Sequence, residues 1–152
     1  MVWGITKNKI EMTYNFMVNH GNISMNANFT VQIYNVFNMF DLIDFFLSKS
    51  ILPILHILQN PSYLNVRNMT DNLKKDLTIK IDETLDEIDS KGYPNKFQVN
   101  WVIERLIAIK NQLSLDGNDY QVELFKKFTM TLDVKRNQNI STMIPEISKY
   151  YE

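Results

Sequence analysis

The chain has 152 residues, 45% of them hydrophobic and 22% charged, with a net charge of -1 at neutral pH. These values describe one ordinary folded domain; they exclude a disordered chain and give no general electrostatic pull toward nucleic acid or an anionic membrane. There is no cysteine, which excludes disulfides, thiolate metal sites and an iron–sulfur cluster held by this chain's own thiols.

The first twenty residues hold a fragment of helical spacing, Ile10, Tyr14 and Met17 with Phe16 and Val18 beside them, stopped by His20-Gly21-Asn22. Lys7, Lys9 and Glu11 break any apolar run, so no cleavable signal peptide is expected, and Trp3 calls for something to pack against. Asn22, Asn28, Asn68 and Asn139 fit the glycosylation pattern, read here as coincidence in an asparagine-rich chain. The expected address is the cytoplasm, and the densest apolar region, residues 36–58, carries Asp41, Asp44 and Lys49 and is no membrane span.

Residues 24–34 alternate strictly. Met25, Ala27, Phe29, Val31 and Ile33 fall on one side; Ser24, Asn26, Asn28, Thr30, Gln32 and Tyr34 fall on the other, which predicts a long strand with one polar face. Residues 37–49 switch to helical spacing through Phe37, Phe40, Ile43 (or Leu42) and Leu47, with Asn35 or Asn38 as the cap and Asp41 in the first turn. Ile51 to Leu58 is a short apolar run expected to be a strand covered on both faces, with Pro53 pointing to a sheet edge or an irregular start. Strand, helix and strand in succession make a βαβ unit with parallel strands and a right-handed crossover.

Gln59-Asn60-Pro61-Ser62 is a turn cluster, and residues 63–69 read as a mixed linker. Thr70 or Asp71 opens a helix striped by Leu73, Leu77, Ile81, Leu85 and Ile88 and stopped by Gly92-Tyr93-Pro94. The next helix, about Phe97 to Leu113, leaves a narrow polar strip around Glu104 and Arg105 and is expected to be the most buried of all. After a loop around Gly117, a further helix carries Tyr120, Leu124, Phe128 and Leu132 at steps of four, with Glu123 and Lys127 placed to pair. Met143, Ile144, Ile147 and Tyr150 let the tail dock as a short helix after Asn139 or Ser141.

The fold class expected is α/β: residues 1–62 as the last βα units of a partial parallel barrel with two or three strands, and residues 63–152 as a helical carboxyl-terminal extension. Two parallel strands are too few for an independent sheet, so the chain reads like the end of a larger α/β enzyme.

The candidate contacts follow from the polar strand face and the outlet of the second strand: Asn28, Thr30, Gln32 and Tyr34, then His56, Gln59 and Asn60. They are either the lining of a barrel lumen, where amides and an imidazole hold a ligand near the strand ends, or the solvated face of an open or antiparallel sheet. His20 and His56 are the only histidines, and no third ligand joins them at metal-site spacing; a histidine in an apolar strand such as His56 is ordinarily a satisfied core residue. The acidic band Asp82, Glu83, Asp86, Glu87 and Asp89 is a solvated helix face, and Asp116-Gly117-Asn118-Asp119 is a turn that fails the calcium-loop pattern. No dinucleotide fingerprint, P-loop, nucleophile elbow or basic-aromatic interleave is present.

Phe29-Thr-Val-Gln-Ile-Tyr-Asn-Val-Phe-Asn38, Ile57-Leu-Gln-Asn-Pro61 and Leu64-Asn-Val-Arg-Asn-Met69, with Leu132-Asp133-Val-Lys-Arg136-Asn-Gln138 and Pro145, together resemble the carboxyl-terminal part of radical S-adenosylmethionine proteins of the twitch-domain type, a group common in phages and marine microbes. The resemblance implies a partial TIM barrel that binds a 4Fe-4S cluster and S-adenosylmethionine and generates a 5'-deoxyadenosyl radical. The family's Cys-x3-Cys-x2-Cys loop is absent, so no cluster ligand is carried over and no residue is assigned as catalytic or metal-binding. What the resemblance implies is a fragment or subunit that walls the cofactor and substrate cavity, inactive alone, and paired with an upstream half of the same enzyme. The competing expectation is a cysteine-free helical interaction module whose small sheet is completed by a partner chain. Neither reading calls for nucleic acid or a membrane.

Overall fold

The computed structural model describes residues 7–19 and 25–150. In chain order the elements are α1 (Lys7–Val18), β1 (Asn26–Val31), α2 (Met39–Ser48), β2 (Leu52–Ile57), α3 (Asp71–Ser90), α4 (Lys96–Leu113), α5 (Asp119–Arg136) and α6 (Ile140–Met143), with 3-10 turns at Val36–Asn38, Ser62–Leu64, Val66–Asn68 and Pro145–Tyr150. Trp3 and the expected stop at residues 20–22 lie outside the described residues. Among the described residues no helix is long and apolar enough to cross a membrane.

The βαβ unit forms as its spacing dictates. β1 and β2 pair in parallel, from Asn26 opposite Leu52 to Val31 opposite Ile57, and among the described residues they are the whole sheet. β1 ends at Val31, three residues before the alternation does. There the Asn35 side chain accepts the Gln32 N–H and donates to the Thr30 carbonyl, and the Ile33 N–H goes to the Leu64 carbonyl. Asn35 therefore caps the strand exit instead of the helix, and neither Asn35 nor Asn38 caps a helical N–H through its side chain.

β2 is not covered on both faces. Pro53 and Leu55 are buried, Leu52 and Ile54 are half-buried, and His56 is exposed. The register explains this, because Leu52, Ile54 and His56 share the open face with Asn26, Asn28 and Thr30. His56 is thus a surface residue and not a core histidine.

One cluster of buried side chains runs from Val31 through α2, α3 and α4 to Phe125 and Ile147, so residues of 1–62 and of 63–152 share a core. The α3 stripe is as expected, with Leu73, Leu77, Ile81 and Ile88 buried and Leu85 partly so, and Gly92 takes the left-handed φ of +61° that ends the segment. The most buried helix is α2, which hides six of its ten residues, whereas α4 hides six of eighteen. The apolar residues Phe97 and Ile107 of α4 lie on its open side, and half-buried Trp101 is covered there by the Arg105 guanidinium, 4.4 Å from the ring centroid.

α5 departs from expectation in the same way. Tyr120 is exposed and Leu124, Phe128 and Leu132 are half-buried, while Phe125 and Thr129 are the buried pair. Glu123 pairs with Lys126 at 3.4 Å. The expected linker 63–69 is instead a structured seam. Asn65 and Asn68 are buried, and the Asn68 amide donates to the Ser62 carbonyl (2.7 Å) and accepts from the Asn118 N–H (3.0 Å). Gly117 precedes that contact because a β-carbon there would lie 3.1 Å from the Arg67 carbonyl oxygen. The tail docks as expected, Asn139 capping α6 and Ile147 buried.

Candidate functional site: the cavity beyond the first strand

A cavity of about 520 Å³ opens where β1 ends, between the strand exit, the start of α2, the last turns of α5 and α6. That size lies within the roughly 300–1,000 Å³ of small-molecule sites, and the carboxyl ends of parallel strands are where α/β folds place ligands.

Each wall has a physical reason for its position. Phe29 belongs to the apolar side of β1, and Gln32 and Tyr34 follow on the turn that Asn35 holds. The Tyr34 ring packs against Phe125 with centroids 5.3 Å apart, and its hydroxyl lies 2.6 Å from that of Thr129. Thr129 spends its own proton on the Phe125 carbonyl, so Tyr34 is the donor of the pair. This pair sets the separation of the strand exit from α5. Leu64 and Leu132 supply further apolar wall, and Ile140, Met143 and Ile144 close the far side.

Two charged residues line the cavity, Asp133 and Arg136. Both Asp133 carboxylate oxygens accept from the Ile140 N–H at 3.1 Å, which ties α6 to α5. Arg136 is exposed in the last turn of α5 and has no carboxylate at ion-pair distance among the described residues. The side-chain amides of Gln32 and Gln138, both half-buried, likewise have no hydrogen-bond partner among the described residues.

Of the contacts expected from sequence, Gln32 and Tyr34 reach this cavity. Asn28 and Thr30 are exposed on the open face of the sheet, with His56 directly opposite Thr30. Gln59 and Asn60 are exposed on the loop after β2, where the Gln59 side chain accepts from Asn65 at 3.4 Å. The fold thus separates the seven residues into a cavity pair, a sheet-face trio and a loop pair. Sequence reasoning missed Thr129, Asp133 and Arg136 as site residues. The i, i+4 spacing of Phe125 and Thr129 is present in the sequence, but the more apolar Leu124 and Phe128 mask it.

A second concentration of polar groups joins α2 to the end of α3. Asp44 accepts from Lys91 at 2.8 Å and from the Tyr93 hydroxyl at 2.5 Å, and Lys91 also reaches Glu87 at 3.2 Å. The hydrogen bonds to Asp44 and then Glu87 raise the Lys91 pKa, while burial, followed by the bond to Asp44, pushes the Tyr93 phenol up to about 12. The cavity beside them is only about 160 Å³, and the cluster works as a latch between helices. The acidic residues of α3 sit on a solvated face, with Asp82 paired to Lys110. Among the described residues no three histidine, aspartate or glutamate side chains gather as a metal site.

The remaining feature is the outer edge of β1. The Leu52 N–H bonds the Met25 carbonyl and the Leu58 N–H bonds the Val31 carbonyl, so the parallel ladder uses Met25, Ala27, Phe29 and Val31 on β1. The backbone groups of Asn26 and Asn28 therefore face outward, and among the described residues no hydrogen bond reaches them. On β2 the outward positions include Pro53, which lacks an N–H to leave unpaired. No protein-family model, curated protein or solved structure matches the chain.

Proposed function

We propose that this chain is an interaction module whose sheet is completed by an extended segment of another polypeptide, added alongside β1. The observation that carries the reading is the outer edge of β1, where Asn26 and Asn28 offer backbone donors and acceptors that are unpaired among the described residues, next to exposed polar side chains. A parallel pair of strands is a small unit on its own, and a third strand would satisfy these groups and widen the sheet. The blunted far edge at Pro53 favours addition at β1.

Asn28→Pro tests this. Its N–H takes no part in the β1–β2 ladder, so the fold should persist by circular dichroism and melting, while strand addition loses its central donor. A protein that is retained by the wild-type chain and released by the Asn28→Pro chain, and that protects the Asn26 and Asn28 amides from hydrogen exchange, is the expected result. Equal retention by both chains, or unchanged exchange at these amides, overturns it.

A second reading is favoured by the parallel strand order together with a cavity at the carboxyl end of β1: the chain as the end of a partial βα barrel from a radical S-adenosylmethionine enzyme, completed by its upstream half. In that case Gln32 and Tyr34 contact cofactor or substrate, while the 4Fe-4S cluster is held by the other polypeptide, since this chain has no cysteine. Mixing with a Cys-x3-Cys-x2-Cys-bearing polypeptide under iron and sulfide reconstitution should yield 5'-deoxyadenosine from S-adenosylmethionine. No product, with the wild-type chain still protected at β1 by a different partner, leaves the first reading alone standing.

A further inference from the structure

We infer that the cavity beyond β1 binds a small amphipathic monocarboxylate, with its apolar body against Phe29 and Leu132 and its carboxylate on Arg136. The inference concerns this chain's own residues and does not rest on completion of the sheet.

The lining selects the chemistry. Its apolar part asks for a hydrocarbon or aromatic body, which gains by leaving water. Its unmatched polar part is a guanidinium and three side-chain amides: Arg136, Gln32, Asn38 and Gln138 all lack side-chain partners among the described residues. A carboxylate is the group a guanidinium binds through two parallel hydrogen bonds, and an amide N–H can donate to it as well. Asp133 is committed to the fold, since both its oxygens share the Ile140 N–H that ties α6 to α5, and its negative charge in the lining disfavours a doubly charged phosphate.

The probes are decanoate and its neutral counterpart decanol, titrated calorimetrically into the whole chain. Decanoate should bind saturably at one site, and Arg136→Gln should weaken it roughly tenfold, the loss expected for a charge-assisted contact. Arg136→Lys should restore part of that affinity. Decanol should bind the wild-type and Arg136→Gln chains equally. Met143→Trp, which narrows the cavity from its exposed side (Met143 is 39% exposed), should weaken both probes without loss of the fold. No saturable decanoate binding to the wild-type chain overturns the inference. So does an Arg136→Gln chain that binds decanoate as well as the wild type, because the cavity would then read only the apolar body.

Discussion

The Tyr34 hydroxyl lies 2.6 Å from the Thr129 hydroxyl across a sequence separation of 95 residues. It is the contact by which the exit of β1 is fastened to α5, and Thr129 is only 1% exposed. Since Thr129 donates to the Phe125 carbonyl, the bond from Tyr34 satisfies a buried acceptor.

Tyr34→Phe keeps the ring on Phe125 and removes that donor, and should cost about 1 kcal/mol in urea denaturation. Thr129→Val should cost a similar amount. The double variant should cost less than the sum of the two, because each single change already breaks the same bond. Strict additivity would show that the two hydroxyls do not interact.

Asn68→Ala should be more damaging. The side chain is fully buried and serves two backbone groups, the Ser62 carbonyl and the Asn118 N–H. Leaving both unsatisfied should cost about 2–5 kcal/mol, read as a lower denaturation midpoint with an unchanged slope. The same burial makes Asn68 an unsuitable glycan acceptor despite its Asn-x-Thr context.

Gly117→Ala tests the other side of that seam. The added β-carbon would meet the Arg67 carbonyl oxygen at 3.1 Å, a backbone atom held in place by the neighbouring Asn68 contact. A loss of about 1–2 kcal/mol is expected from the overpacking, and a stabilised Gly117→Ala chain would show that the loop can yield.

Alkaline pH should loosen the latch at Asp44. Burial, and then the bond to Asp44, raise the Tyr93 phenol from 10.0 to about 12, so the folded chain holds this proton more tightly than the unfolded chain does. The associated stability is complete below about pH 10 and is lost as pH rises toward about 12; the raised Lys91 acts in the same sense at still higher pH. Tyr93→Phe should flatten the fall in melting temperature across that window. Asp44→Asn should bring the Tyr93 titration, followed by tyrosinate absorbance, part of the way back, because burial remains. A Tyr93 that titrates at its ordinary value in the wild-type chain would refute the assignment.

The legible part of this protein was its local structure. Alternation through β1, steps of three and four residues through α2 and α3, the left-handed stop at Gly92 and the proline on the β2 edge each report a preference carried by neighbouring residues, and each is realised. Of the seven expected contacts, only Gln32 and Tyr34 face the cavity; Asn28, Thr30 and His56 belong to the sheet's open face, and Gln59 and Asn60 lie on the loop after β2.

What the sequence by itself determined was therefore which stretches are strands and helices, their order, and the parallel sense that a βαβ unit imposes. The tertiary structure alone decided which flank of α4 and of α5 is buried, that α2 is the most enclosed helix, and that a supposed linker is pinned by Asn65 and Asn68. The reason is that apolar burial is non-directional. Spacing shows that a helix has a side to hide, but where two flanks compete, as Leu124 and Phe128 do with Phe125 and Thr129, the choice falls to the partner that arrives. For α5 that partner is Tyr34, 95 residues away, and its hydroxyl selects the flank bearing a threonine.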